Sequence, residues 1–408
     1  MQTQTLMRPA TEWELQRSLV EATRSQSPIE IIGDGTKRDI GRPTDIPTAL
    51  TTTSLTGIRL YEPSELVMSA RAGTPLARIE ADLANHNQML AFEPIDLSGV
   101  IGQEPGNGTV GALFAMNCSG SRRITVGAAR DHLLGVTAIS GEGVAFRSGG
   151  RVMKNVTGLD LARMLAGSWG TLAVLTETTF KVMPRPEETA TLVLVGLDDT
   201  IAIEALTTAI TSPYEITGAI HLHKALAERL WHEALKAEHR PVTAIRLEGF
   251  PNSVAYRSQR LINELKLFGD LELLQNDDSL MFWDELRHLS ILQGSSAPLW
   301  RISTAPQSGA KAVAAISSFM DCNAYYDWAG GLIWAEVLPA SDGGAADIRR
   351  VIANHGGHAT LIRADHDVRQ AIDVFQPLEP GLQKITAHLK TIFDPAGILN
   401  PGRMQAAF

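Results

Sequence analysis

Two glycine-rich segments carry the residue types best suited to gripping a large charged ligand. Gly33-Asp34-Gly35-Thr36-Lys37 follows a short apolar run, and Gly106-Asn-Gly108-Thr109-Val-Gly111-Ala112 opens a longer stretch. That stretch continues through Asn117-Cys-Ser119-Gly120, Val126-Gly127-Ala-Ala-Arg-Asp131 and Lys154-Asn-Val-Thr-Gly-Leu-Asp160. It closes on Gly167-Ser-Trp-Gly-Thr-Leu-Ala-Val174-Leu-Thr176. Small residues let a backbone approach a ligand that a side chain would hold off. Such turns also expose N–H groups, whose oriented dipoles suit a diphosphate. Their spread along the chain predicts an extended cofactor lying along a scaffold, with two loops closing on one diphosphate.

Simpler motif readings fit less well. Gly106 to Gly111 matches G-x-G-x-x-G, but a Rossmann loop follows an apolar strand directly, and here Gln103-Glu-Pro105 intervenes. The first loop lacks the G-x-x-x-x-G-K spacing of a Walker loop. The bland alternative is that these glycines only shape turns.

Among charged residues, Arg301 suits a bidentate grip on a substrate carboxylate, against a structural role beside Trp300. Arg246 is a second candidate, although Glu248 falls on the same strand face and offers it a partner. Arg130-Asp131 reads as a structural ion pair. His221-Leu-His223 places two imidazoles on one face if extended, without a third ligand nearby, and Asn354-His-Gly-Gly-His358 reads as solvated loop histidines. No metal site and no general base is assigned.

The elements that must position these residues are readable from patterning. Thr11-Glu-Trp-Glu14 is a capping box, with Leu15, Leu19 and Ala22 on one helical face and an end near Ser25. Short strands follow over 29–32 and 67–72, and Thr74-Pro75 predicts a helix with proline at its first position. Strands near 135–140 and 172–179 bracket the small-residue stretch. After Pro184-Arg-Pro186, strand-like runs at 191–195, 242–250, 299–304 and 331–337 alternate with helices, the clearest over 253–268. That rhythm predicts an α+β region with an antiparallel sheet covered by helices. A last helix over 381–393 leads into Asp394-Pro-Ala-Gly-Ile-Leu-Asn400-Pro-Gly402.

Bulk properties narrow the function classes. A chain of 408 residues exceeds one ordinary core, so two or three domains are expected. A net charge of −9 argues against nucleic acid as main partner. Two cysteines, Cys118 and Cys322, cannot ligate a four-thiolate iron–sulfur cluster and fit a reducing compartment. No run approaches the apolar length that spans a bilayer. The expected location is cytoplasmic, with peripheral attachment at the inner face of the plasma membrane open through partner subunits.

The first loop, the Gly108–Ala112 segment, the Gly167–Thr176 segment and the terminal Asp394–Gly402 run together resemble the vanillyl-alcohol-oxidase-type (PCMH-type) FAD-binding fold. Leu299–Ser303, Arg246–Gly249 and Asp327-Trp-Ala-Gly-Gly331 are similar to segments of the FAD-binding E subunit of bacterial glycolate oxidase (glycolate dehydrogenase), nearly end to end. The resemblance implies a two-subdomain FAD domain over 1–185, an α+β cap over 186–375 and a C-terminal return over 376–408. It implies diphosphate contacts from Gly33, Asp34, Gly35, Thr36 and Lys37, and from Gly108, Thr109, Gly111 and Ala112. Ser119, Gly120 and Gly127 fall in further contact segments, Val174 near the adenine and Asn400 near the flavin. Relatives with covalent flavin carry a histidine in the first loop; its absence here implies non-covalent FAD. The implied partners are a catalytic flavoprotein subunit and an iron–sulfur subunit, with a small 2-hydroxy acid as substrate. The metal-binding H-x-G-D-G-N-x-H segment of catalytic relatives is missing, which weighs toward an electron-transfer or assembly subunit. A stand-alone reductase of the UDP-N-acetylenolpyruvoylglucosamine reductase type is the third reading.

Overall fold

The computed structural model describes residues 4–106, 108–152, 158–338 and 341–407; Asn107 and residues 154–157 of the sequence motif lie outside the described residues. The first helix, Glu12–Ser25, starts where the capping box places it: Thr11 Oγ1 accepts from the Glu14 N–H at 3.1 Å. Its buried face, Leu15, Leu19 and Ala22, packs on a three-stranded parallel sheet. In that sheet Thr48–Thr51 lies between Thr5–Met7 and Glu30–Ile32. Two of these strands escape sequence reading because three or four residues are too few for alternation to register.

A five-stranded antiparallel sheet follows, in the order Ile58–Glu62, Val67–Arg71, Ala173–Lys181, Leu133–Ser140, Ala145–Gly149. Met68, Ile79, Val110, Phe114 and Phe180 form the core beneath its helices. The helix expected at Pro75 runs Leu76–Ala84, so the proline is the cap rather than the first helical residue. Its backbone is held extended, and the antiparallel bridge between Pro75 and Thr109 makes that useful.

The third sheet has eight antiparallel strands, in the order Glu272–Gln275, Glu188–Val195, Val242–Gly249, Gly218–Leu222, Cys322–Asp327, Leu332–Val337, Leu299–Ser303, His358–Arg363. Alternate residues on a strand point to opposite faces, and here both faces are covered. Leu192, Ile245, Trp300 and Ile302 pack under the helices Asp199–Thr211, Pro251–Leu265, Pro306–Ser317 and Ala345–His355. Val193, Ala244, Leu299, Trp334 and Ile362 point the other way and meet Ile40, Ile95, Leu97 and Val100 from the first part of the chain. Arg301, between Trp300 and Ile302, therefore faces this internal joint.

The helix Pro380–Phe393 carries the chain back to the first sheet. Ile398 O accepts from Ile29 N at 2.8 Å, and Lys390 Nζ ties Thr171 O, Leu399 O and Asp394, each at 2.7 Å. A buried lysine with three oxygen partners is satisfied, and it anchors the return.

Candidate functional site

The two glycine-rich loops do converge. A cleft open to solvent is lined by Gly33 to Lys37, Gly111, Ala112, Val174 and Asn400. Gly33 has no room for a side chain, since an added Cβ would lie 2.3 Å from Thr109 Oγ1. The first loop also fits a diphosphate on donors: among the described residues no acceptor meets the N–H groups of Asp34, Gly35, Thr36 and Lys37. Half-buried N–H groups are ordinarily paired, so the free ones of Gly35, Thr36 and Lys37, with that of exposed Asp34, are placed to receive an anion. Lys37 Nζ lies 2.9 Å from Thr36 Oγ1; burial lowers its pKa against the pull of Asp96.

The second loop works differently from the sequence expectation. Val110 N donates to Thr74 O at 3.0 Å, Gly111 N to Ala72 O at 2.8 Å and Ala112 N to Thr109 Oγ1 at 3.4 Å. Those N–H groups are therefore committed to protein acceptors and are not diphosphate donors. Gly111 is required for close packing instead: a Cβ there would fall 2.6 Å from the Ala72 Cβ. Gly108 lies opposite the Lys37 ammonium, 3.5 Å from where its Cβ would be. Gly111 and Ala112 thus line the cleft with their N–H groups already spent, while among the described residues no acceptor meets the N–H groups of Gly108 and Thr109, which stand outside its lining.

Three further residues stand outside the cleft. Ser119 Oγ accepts from Ala129 N at 2.9 Å, Gly120 packs against Glu93, and Gly127 ends the short helix Arg123–Val126 beside Asp131. Asn400 lines the cleft, yet its amide is committed to backbone: Oδ1 accepts from Ile31 N at 2.7 Å and Nδ2 donates to Trp169 O at 2.8 Å. It fixes the loop-bearing strand against the Trp169 turn. Trp169, Met116, Thr52 and Arg403 also line the cleft. Sequence reading quoted Trp169 within a motif and passed over the other three, which have no local signature.

At the joint facing the eight-stranded sheet, arginines fall into two sets. Arg246 is fully buried and donates to both oxygens of Glu93 at 2.8 and 3.0 Å, while stacking over Trp283 at 4.2 Å. Arg122 grips Glu248 at 2.8 and 2.6 Å and reaches Glu93 at 3.0 Å. Arg246 is thus a structural clamp and not a substrate ligand; the expected approach of Glu248 is present at 3.6 Å, but Glu93 is its main partner. Arg301 and Arg123 have no hydrogen-bond or ion-pair partner among the described residues. Both face the Trp328 ring, Arg123 at 4.3 Å and Arg301 at 5.4 Å. Burial lowers the pKa of each; Arg301 lowers Arg123 further, while Cys118 and Asp327 partly offset the effect on Arg301. Two half-buried, unpaired guanidinium groups beside one indole make a place for an anion.

One of the two histidine pairs is accounted for. His221 and His223 share Asp199 at 3.3 and 2.9 Å. Among the described residues no group of His, Cys, Asp or Glu is arranged to hold a metal ion, and no helix is long and apolar enough to cross a membrane. Arg130 and Asp131 approach at 4.0 Å on the surface.

Comparison with known proteins places this geometry. An FAD binding domain family matches residues 3–149. The glycolate oxidase subunit GlcE of Escherichia coli (strain K12) is 34% identical over 396 residues, 95% of each chain. A D-lactate dehydrogenase of Archaeoglobus fulgidus is 28% identical over 46% of this chain and 41% of its own. Among solved structures, 4-ethylphenol oxidase from Gulosibacter chungangensis superposes with a TM-score of 0.73 at 15% identity, covering 98% of this chain and 88% of its own. That likeness concerns the fold, a two-part FAD-binding scaffold with an antiparallel cap. With 34% identity over 95% of each chain, the chain belongs to the family of the glycolate oxidase subunit GlcE.

Proposed function

We propose that the chain is the FAD-binding subunit of a multi-subunit glycolate oxidase and that it oxidises glycolate, or a related 2-hydroxy acid, to glyoxylate at its own flavin. Electrons then pass to an iron–sulfur subunit, and a catalytic flavoprotein subunit completes the assembly. The supporting observation is the unpaired Arg301, with Arg123 across Trp328, turned into the joint. An unpartnered buried cation costs stability, and a subunit that only assembled or relayed electrons would have no use for one. On this reading the chain divides into 1–185, 186–375 and 376–408.

FAD, when bound, supplies the two-electron acceptor. The N–H groups of Asp34 to Lys37 hold its diphosphate without a covalent bond, and Gly111 and Ala112 close the opposite wall. Val174 backs the adenine, and Asn400 orders the flavin end by holding Ile31 and Trp169 in place. Arg301 and Arg123 hold the substrate carboxylate, and the apolar layer of Leu299, Trp334 and Ile362 keeps water from the reacting carbon.

The test is anaerobic mixing of the FAD-loaded chain with glycolate. Bleaching of the flavin band is expected, and oxalate binding should weaken by roughly 10- to 100-fold in Arg301→Gln, the loss of charge-assisted bonds. A chain that neither bleaches nor binds oxalate is an assembly or electron-transfer subunit instead.

A further inference from the structure

Beside the two arginines stands a titratable group that the carboxylate reading leaves without a task. His358 opens the strand His358–Arg363 and pairs with Ser303, while Thr360 pairs with Arg301. Directly opposed residues of an antiparallel ladder share a face, and so do residues two apart. His358 and Arg301 are therefore diagonal neighbours on one face, whose apolar members Leu299, Trp334 and Ile362 form the joint, with His358 itself solvent-exposed. Diagonal neighbours of this kind stand about 7–8 Å apart, a span that a two- or three-carbon acid bridges. Its imidazole has no hydrogen-bond partner among the described residues.

We propose that His358 is the proton acceptor for the α-hydroxyl of the substrate, a catalytic residue of the same site. This rests on Arg301 and Arg123 as the carboxylate anchor. With the carboxylate held there, the adjacent hydroxyl carbon points along the diagonal toward the imidazole. The O–H bond breaks and its proton moves to a ring nitrogen of His358, giving imidazolium. FAD, when bound, would supply the acceptor for the C–H hydrogen and its electron pair, and the alcohol carbon would become a carbonyl. The charged groups acting on His358 are Arg301 from its neighbouring strand and Arg123 from across the joint; desolvation and both arginines lower its pKa below the ordinary histidine value. A neutral imidazole is the form that can accept a proton. Binding an anion neutralises the arginines, so the imidazolium is better tolerated once substrate is present.

The experiment uses the FAD-loaded full chain with selectively labelled histidine and oxalate as an unreactive probe. The His358 resonance, assigned by its loss in His358→Gln, should titrate below an ordinary histidine and shift to higher pH when oxalate saturates the site. His358→Gln should bind oxalate within about threefold of the unaltered chain, yet reduce its flavin with glycolate roughly 100-fold more slowly, the scale of lost general-base catalysis. Full reduction rate in His358→Gln, or a titration midpoint unmoved by oxalate, overturns the proposal. Unaltered oxalate binding in Arg301→Gln overturns the carboxylate anchor itself, so the two failures are distinguishable. Since a variant can lose FAD for other reasons, His358→Asn with matched flavin content serves as the second variant and must behave as His358→Gln does.

Discussion

Arg122 and Arg123 are neighbours in sequence and cross the same joint, yet their surroundings follow opposite rules. Arg122, with Arg246, closes a box with Glu93 and Glu248, and every guanidinium face in it meets a carboxylate or an aromatic ring. Arg123 and Arg301 pair with no carboxylate among the described residues and share only the Trp328 ring, with Trp334 also near Arg301. A buried charge with a full set of partners fixes register between two layers; one left without partners is poised for a ligand. Segment 120–123 serves both ends: Gly120 O accepts from Trp328 Nε1 at 3.0 Å, and Ser121 Oγ donates to Asp327 at 2.7 Å.

Breaking the box should produce the largest effect. Arg246→Ala strands Glu93 and Glu248 on a single arginine, and removal of one partner from a buried ionic set costs about 3–5 kcal/mol. Urea unfolding checks this. The matched change at the other end, Arg301→Gln, should leave stability unchanged or raise it, because the cation it removes has no partner to lose. Equal losses from the two variants would erase the distinction between clamp and site.

Acid should separate the two ends next. Burial pushes the Glu248 carboxyl up, but Arg246 and the hydrogen bond from Arg122 outweigh it and hold the pKa at about 2, against an ordinary 4.5. The unfolded chain therefore takes up this proton first as pH falls. The stabilisation is whole above pH 4.5 and drains away between 4.5 and about 2, of order 3 kcal/mol. Asp327, toward the site, behaves oppositely: burial pushes it up to about 6 from 3.8, so it disfavours folding as pH rises through that window. Unfolding midpoints at pH 5 and pH 3 should differ strongly in the unaltered chain and less in Glu248→Gln. A Glu248→Gln variant with an undiminished acid slope would place the titration elsewhere.

The physical reach of each interaction explains what sequence alone could foretell. The Thr11–Glu14 cap, the alternating strands and Gly33 were legible because their causes are local or need only an absent side chain. The division between Arg122 and Arg123 was not, since their partners lie far along the chain at Glu93, Glu248 and Trp328. Arg246 stands as a substrate candidate in the sequence because Glu248 is the one nearby partner it shows, and Glu93, its main partner, lies far along the chain. Part of the second loop is hidden for the same reason: the N–H groups of Val110 and Gly111 look free until the turn after Val67–Arg71 brings up Thr74 and Ala72. Resemblance supplied the family and the cofactor, and spatial pairing alone separates the partnered arginines from the unpartnered ones.

The smallest expected effect tests what keeps the unpaired arginines in place. Trp328 adopts a left-handed backbone, φ 52°, and its indole N–H donates to Gly120 O, so the ring is held beside both guanidinium groups. Its π face is a partner that neutralises nothing, which orders the cations without satisfying them. Trp328→Phe keeps a face and loses the N–H bond, and should cost about 1 kcal/mol of stability. Oxalate affinity should fall only about threefold, because both positive charges persist. Trp328→Leu removes the face altogether, leaving the arginines to repel one another, and both losses should deepen. If Trp328→Leu matched the unaltered chain in urea unfolding and oxalate titration, the ring would be filler and some other contact would hold the arginines apart. The ordering Trp328, Trp328→Phe, Trp328→Leu therefore measures how far an aromatic ring can stand in for the missing carboxylate.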